Sequence, residues 1–485
     1  MKPAWWRAAV PLVVWLALVL VPVPGGLAPK AWGYFALYAA VIDGLVLEPL
    51  PAAAIGLIGV TVAGVSRQVE QSPAASITWA LSGFQDRTVW LIFGAFVFSI
   101  GYGKTGLGRR IALGLVRRLG GRTLGLGYAI ALADLALAPG TPSNTGRSAG
   151  TLFPVIRNIP GLYGSEPGPT ARRIGSYVMW TAFASTAVTS SMFVTALAPN
   201  AAALALVKQA TQLDITWTQW LAGFWPIGVP LLALVPLLVY VIYPPEIKTS
   251  REVPAWAARE LGEMGAIGRP EWVMGALAVL AVSLWVVGSN RDIVLPVLGS
   301  QFIDATGVVL LANALMLVTG VVAWDDILGH KGAWNVLVWF ATLVALADGL
   351  NRVGFVAWVA GGLAPRLAGI PPLTAMAVLV VFFFFVHYMF ASLTAHAAAV
   401  LPVVLATGMA VPGLPVKVLA LLLVYSLGLM GVLSPYATGP APVYYGSGYV
   451  SRRDFWVLGL VFGTIYLVAL LGIGIPYLTA VAPPG

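Results

Sequence analysis

The sequence predicts an all-α polytopic membrane protein: an inverted-topology repeat of about eleven transmembrane helices and two re-entrant hairpins. Three observations carry that prediction. The 485-residue chain is 59% hydrophobic and only 9% charged, against the roughly 25% charge of a soluble domain. Apolar runs long enough to cross a bilayer recur from end to end. Two short polar stretches, Thr141-Pro-Ser-Asn-Thr-Gly-Arg-Ser148 and Phe390-Ala-Ser-Leu-Thr-Ala-His396, interrupt apolar flanks at one spacing. Ser143 and Ser392 lie 249 positions apart, as do Thr145 and Thr394, while Gly106 and Gly354 lie 248 apart.

Taken in order, the first span (7–23) follows a short basic start and looks like a signal peptide. It lacks a small-residue cleavage pattern, so it is expected to stay as a helix. Spans 31–47, 50–66 and 88–103 follow, then apolar arms 122–138 and 147–160 around the first polar stretch, then spans 175–198 and 221–244. Residues 245–270 form a mixed-charge cytoplasmic connecting loop. The second series repeats the plan: spans 272–290, 306–324 and 334–350, arms 371–390 and 397–407 around the second polar stretch, then spans 415–434 and 455–478. The division is therefore 1–30 (first span), 31–244 (first repeat, hairpin 122–160), 245–270 (connection) and 271–485 (second repeat, hairpin 371–407).

Charge explains why each arm pair is a hairpin. Lys104, Arg109, Arg110, Arg117, Arg118 and Arg122 precede the first pair, and Arg157, Arg172 and Arg173 follow it. Both clusters fall on one face only if the chain enters and leaves on that face, and basic loops favour the cytoplasm. The N-terminus is then cytoplasmic and the C-terminus outside. The net charge of +9 reads as topology, and no nucleic-acid partner is implied. Five spans per repeat is an odd number, so the second repeat is inserted upside down, the plan that gives a secondary transporter two exchangeable conformations.

A polar, helix-breaking segment at membrane depth is costly unless it lines a cavity. Pro139, Gly140 and Pro142 stop the first arm, and Ser143 or Asn144 can cap the second. The helix start then offers free N–H groups to an anion, with Ser143, Asn144 and Thr145 adding side-chain groups. Ser392 and Thr394 repeat the device, Leu393 standing where Asn144 stands, with His396 beyond and His387 upstream; an intramembrane histidine is a site candidate. Arg147 lies one turn from the first tip, and its candidate partners are a substrate anion and Asp134 on the opposite arm. Breaks follow at Thr195-Ala-Leu-Ala-Pro-Asn200 and at Ser434–Gly448, where Thr438 is a candidate contact. Asn200, Asn351 and Arg352 are candidates for gating or for shaping the site's field. No paired carboxylates, metal-ligand cluster or phosphate loop argues for an enzyme, no cofactor or metal is expected, and the absence of cysteine removes thiolate chemistry.

At these residues the chain resembles the divalent anion:sodium symporter superfamily, within it the bacterial citrate/succinate and tartrate/succinate antiporters and the plastid 2-oxoglutarate/malate translocator. The matching strings are Thr141–Thr145 with Arg147-Ser148, Leu346–Arg352, Phe385–His396, and Ser434–Gly448 with Asp454-Phe455-Trp456. The resemblance implies a homodimer with a scaffold and an elevator-like moving part, exchanging a di- or tricarboxylate (citrate, succinate, malate, 2-oxoglutarate or tartrate) for a counter-substrate. In sodium-coupled members both tips carry Ser-Asn-Thr and hold carboxylate and sodium. Carried over, Ser143, Asn144, Thr145, Ser392 and Thr394 would bind substrate. Leu393, and Ala196-Leu197-Ala198 before Asn200, depart from that pattern and favour sodium-independent antiport over sodium symport, while the inverted-repeat plan argues for a transporter over an anion channel. Without a transit peptide, the expected location is a bacterial cytoplasmic (inner) membrane.

Overall fold

Helices form wherever the sequence offers an apolar run, because backbone groups in a bilayer must find partners within their own segment. A computed structural model describes residues 5–288, 303–367 and 369–481. Its first series comprises α1 (Trp5–Leu20), α2 (Pro29–Leu47), α3 (Ala52–Val65), α4 (Arg87–Thr105), α5 (Leu107–Leu119), α6 (Thr123–Leu137), α7 (Gly175–Met192), α8 (Ala198–Thr211) and α9 (Trp217–Ile242). The second comprises α10 (Glu252–Glu263), α11 (Arg269–Gly288), α12 (Ala305–Val318), α13 (Lys331–Arg352), α14 (Phe355–Leu367), α15 (Pro372–Val386), α16 (Leu393–Met409), α17 (Val416–Leu429) and α18 (Arg452–Val481). The expected spans fall on these helices; the last two residues of the 272–290 span lie outside the described residues. Among the described residues eight helices are long and apolar enough to cross a membrane, and five shorter ones are also apolar.

Three expectations need correction. The break expected at Thr195–Asn200 is present but starts earlier and leads into a new helix: α7 ends at Met192, Phe193 and Leu197 are extended, and α8 starts at Ala198. The Asn200 amide holds this break closed by donating to the carbonyls of Ser190 (2.7 Å) and Phe193 (3.2 Å). Second, the connection at 245–270 is not a plain loop, since α10 forms inside it. Third, the basic cluster after Lys104 is itself a helix. Gly106 turns the chain at φ 78°, a left-handed conformation glycine adopts without a Cβ penalty, and α5 follows with Gly108, Ala112, Leu113 and Val116 buried. Its arginines reach across the connection, Arg109 to Glu260 on α10 (2.5 Å) and Arg110 to Glu271 on α11 (2.6 Å). The same event recurs 248 residues on, where Gly354 at φ 82° launches α14.

The two series match element for element: α2, α3, α4, α5, hairpin, broken α7, α9 against α11, α12, α13, α14, hairpin, broken α17, α18. Their packing is exchanged. The second span of each series lies against the third of the other, α3 on α13 and α12 on α4. The broken helices α7 and α17 pack together at the centre, and α9 meets α18. Every residue of α7 is buried, including Ser176, Thr181, Ser185, Thr186, Thr189, Ser190 and Ser191. That polar content suits a helix surrounded by protein and would be unfavourable against lipid.

Candidate functional site

Each hairpin tip starts its returning arm with a serine cap. The Ser143 hydroxyl oxygen accepts from the Gly146 N–H (3.0 Å), and that of Ser392 accepts from the Ala395 N–H (3.3 Å). Beyond the second tip the chain enters regular α16. Beyond the first it runs as a π-helix over Thr145–Leu152 before a short α-turn at Phe153–Ile156. Such wide turns are frequent at functional sites, and this one carries Arg147 into the protein interior.

Each break is tied to the tip of its own half. At the first, Ala198 N–H donates to Pro142 (2.8 Å) and the Thr195 hydroxyl to Pro139 (2.6 Å). At the second, His387 Nε2 bonds the Ala437 carbonyl (2.8 Å) and the Tyr436 hydroxyl donates to Tyr388 (3.1 Å). The halves then cross over. The Asn144 amide donates to the Thr438 hydroxyl (2.8 Å), Ser148 and Tyr444 share a hydrogen bond (2.8 Å), and α8 packs along α16.

The result is an open cavity of about 250 Å³ lined by both tips and both breaks: Pro142–Asn144, Ala391–Thr394, Leu197–Pro199, and Thr438 with Gly439, with Glu48 and Phe96 completing the lining. Its chemistry is donor-rich. Ser143 and Ser392 spend an acceptor lone pair on their caps and Thr438 spends one on Asn144, so each keeps its O–H to donate. Thr394 adds another hydroxyl, and the first amides of α16 have no acceptor within their helix. Leu393, Leu197 and Pro199 give an apolar wall. Hydroxyls and helix starts against such a wall can hold a carboxylate while its carbon chain stays off water.

Several candidates lie elsewhere. Arg147 is fully buried and has no donor left for a substrate. Its Nε meets Asp134 (3.1 Å), one terminal nitrogen donates to the carbonyls of Thr141 (3.0 Å) and Ala196 (2.8 Å), and the other to the hydroxyls of Thr189 (3.3 Å) and Ser190 (3.2 Å). Asp134 takes a further hydrogen bond from Thr189, so of the two candidate partners for Arg147 it is the one present. Thr145 is exposed, does not line the cavity and abuts Gly439. His396 lies behind the second tip, buried among Phe383, Phe390 and His387, with neither ring nitrogen bonded. His387 and Asn200 serve the breaks. Asn351 reaches only the Gln209 carbonyl (3.2 Å), and Arg352 pairs with Glu70 (2.8 Å) and Asp348 (2.6 Å) at the surface. None of these lines the cavity.

Glu48, Phe96 and Gly439 line the cavity without having been expected from sequence. Glu48 ends an apolar run just before Pro49 and Pro51 and reads as an ordinary span end; its membership depends on packing between halves, which no local pattern carries. No group of three or more potential metal-ligating His, Cys, Asp or Glu side chains occurs among the described residues.

Against known proteins, the profile of the sodium:sulfate symporter transmembrane region matches residues 2–482. The chain is 49% identical over 486 residues to the citrate/succinate antiporter of Escherichia coli K12, covering 98% of each chain. It is 44% identical over 496 residues to the L-tartrate/succinate antiporter of the same strain, covering 99% of this chain and 100% of that one. Among solved structures, the YdaH transporter of Alcanivorax borkumensis superposes with TM-score 0.58 at 15% identity, covering 99% of this chain and 98% of the other. MtrF of Neisseria gonorrhoeae gives 0.59 at 12%, covering 98% and 95%. At such identities these two bear on the fold alone.

Proposed function

The chain belongs to the sodium:sulfate symporter family of divalent-anion transporters, and from that premise we propose that it is a secondary transporter exchanging di- or tricarboxylates across a bacterial inner membrane. The observation that carries this reading is a cavity to which both hairpin tips contribute. Substrate carboxylates would take the hydroxyl groups of Ser143, Ser392, Thr394 and Thr438 and the helix starts at the tips, with the carbon chain along Leu197, Pro199 and Leu393. The relatives named as citrate/succinate and L-tartrate/succinate antiporters support this substrate class.

Arg147 supports sodium independence. Breaking two helices frees carbonyls that could ligate a coupled cation, yet those of Thr141 and Ala196 already accept from a guanidinium that is part of the chain. Paired with Asp134, that guanidinium is held as structure, so the carboxylate's partners are the hydroxyls and helix starts of the tips. The empty site, with its tip hydroxyls and amides unsatisfied, would cross an apolar barrier at high cost, whereas a bound carboxylate satisfies them. Movement would therefore require cargo in both directions, which is exchange. The carrier is proposed to sit with its N-terminus cytoplasmic and C-terminus outside, as a homodimer in which the hairpins and broken helices move against the remaining spans.

Reconstituted vesicles test the reading. Uptake of labelled succinate should require an internal dicarboxylate and ignore a sodium gradient. Uptake into empty vesicles that rises with external sodium would establish symport instead, and a conductance without saturable exchange would establish a channel.

A further inference from the structure

Among the described residues that line the cavity, Glu48 is the one formally charged group, and it is an acid. Four features make it more than a span end. It sits at the α2–α3 junction, so it reaches the cavity from outside the hairpins and breaks that supply the donors. Its side chain is exposed, among the described residues it has no ion-pair or side-chain hydrogen-bond partner, and no basic residue among them lines the cavity with it. Its backbone is left-handed, φ 48° and ψ 51°, a conformation that glycine favours and that a side chain makes unfavourable. Finally, the capping work at that position is done by its backbone N–H, which donates to the Gly44 carbonyl (2.9 Å). Glycine would cap α2 at lower conformational cost, so the carboxylate has to be explained by what it faces.

We propose that Glu48 sets the charge limit of the anion the cavity accepts. This inference rests on the carboxylate-exchange reading. An anion with two carboxylates can place them on the hydroxyls and helix starts of the tips. A third ionised carboxylate finds no donor on the α2–α3 side and meets a like charge there instead. Repulsion between like charges a few ångströms apart in a partly solvated cavity alters affinity by on the order of tenfold. Glu48 thereby determines specificity between dicarboxylates and tricarboxylates while the tips determine that a carboxylate binds at all.

The test uses the full-length protein in vesicles loaded with labelled succinate, at one mildly alkaline pH where tricarballylate is fully ionised. Unlabelled succinate and tricarballylate are compared as external counter-substrates, and the quantity read is the ratio of their half-saturating concentrations. In wild type the ratio should favour succinate. In Glu48→Gln it should move toward tricarballylate by on the order of tenfold. Glu48→Gly, whose backbone suits the left-handed turn, should move it the same way and guards against a folding defect in the first variant. An unchanged ratio in either variant that still exchanges succinate overturns the role of Glu48 alone. Wild-type protein that exchanges no carboxylate overturns the transport reading, and this inference with it.

Discussion

Replacing Arg147 by alanine would leave the Asp134 carboxylate, two carbonyls and two hydroxyls short of a partner in a fully buried site, and breaking a buried ion pair costs about 3–5 kcal/mol. The expected outcome is a large drop in thermal unfolding temperature in detergent. Arg147→Lys should fail to restore it, because an ammonium cannot reproduce five donors in a planar fork. A variant of normal stability with only a raised KM would return Arg147 to the substrate. Gly439→Ala tests the tip packing differently: an added Cβ would collide with the Thr145 side chain, pushing the first tip off the second break and breaking the Asn144–Thr438 bond. Exchange assays should show a raised KM with little change in stability, whereas unaltered kinetics would mean the tip has slack. At this scale the structure divides the residues that the sequence singled out. Ser143, Asn144, Ser392, Thr394 and Thr438 line the cavity. Arg147 and His396 have the chemistry of ligands but face inward from the tip, an orientation fixed by the π-helical turn and by aromatic packing that spacing alone does not carry.

Long apolar runs and proline-interrupted tips were legible because each follows from one local rule, hydropathy for the spans and backbone satisfaction for the breaks. What escaped was short and amphipathic. Helix α5 carries four arginines and buries a stripe of small and apolar residues, so a window seeking some twenty apolar residues passes over it. Helix α8 was hidden by the break before it, and α10 by its mixed charge. The spacing of Gly106 and Gly354 was visible; its meaning, a left-handed corner turning each third span into α5 or α14, required the backbone. Gly354→Ala places a Cβ at φ 82° and should destabilise by more than about 1 kcal/mol, read as a lower unfolding temperature. An unchanged temperature would mean the corner relaxes and is no fixed hinge point.

The whole molecule holds together as two interlocked copies of one plan, and its orientation can be tested because the chain has no native cysteine to interfere. Gln71 and Glu263 are both exposed, on segments that the charge distribution puts on opposite sides. A cysteine at Glu263 should react with an impermeant thiol reagent only from the cytoplasmic side, and one at Gln71 only from the other. Reaction of both from one side would break the inverted-repeat topology. The central claim is that one substrate is held by both halves at once, and the kinetics of exchange test it most directly. Ser143→Gly keeps most of the helix cap, losing a few tenths of a kcal/mol, while Thr394→Val removes a hydroxyl of similar shape. A hydrogen bond to a charged group is worth about 1.5–3 kcal/mol, so each change should raise the KM for succinate exchange roughly tenfold or more. The double variant should depart from the product of the two, as for groups touching one ligand. If either substitution leaves the KM unchanged while the other raises it, the site belongs to one tip and the account is contradicted.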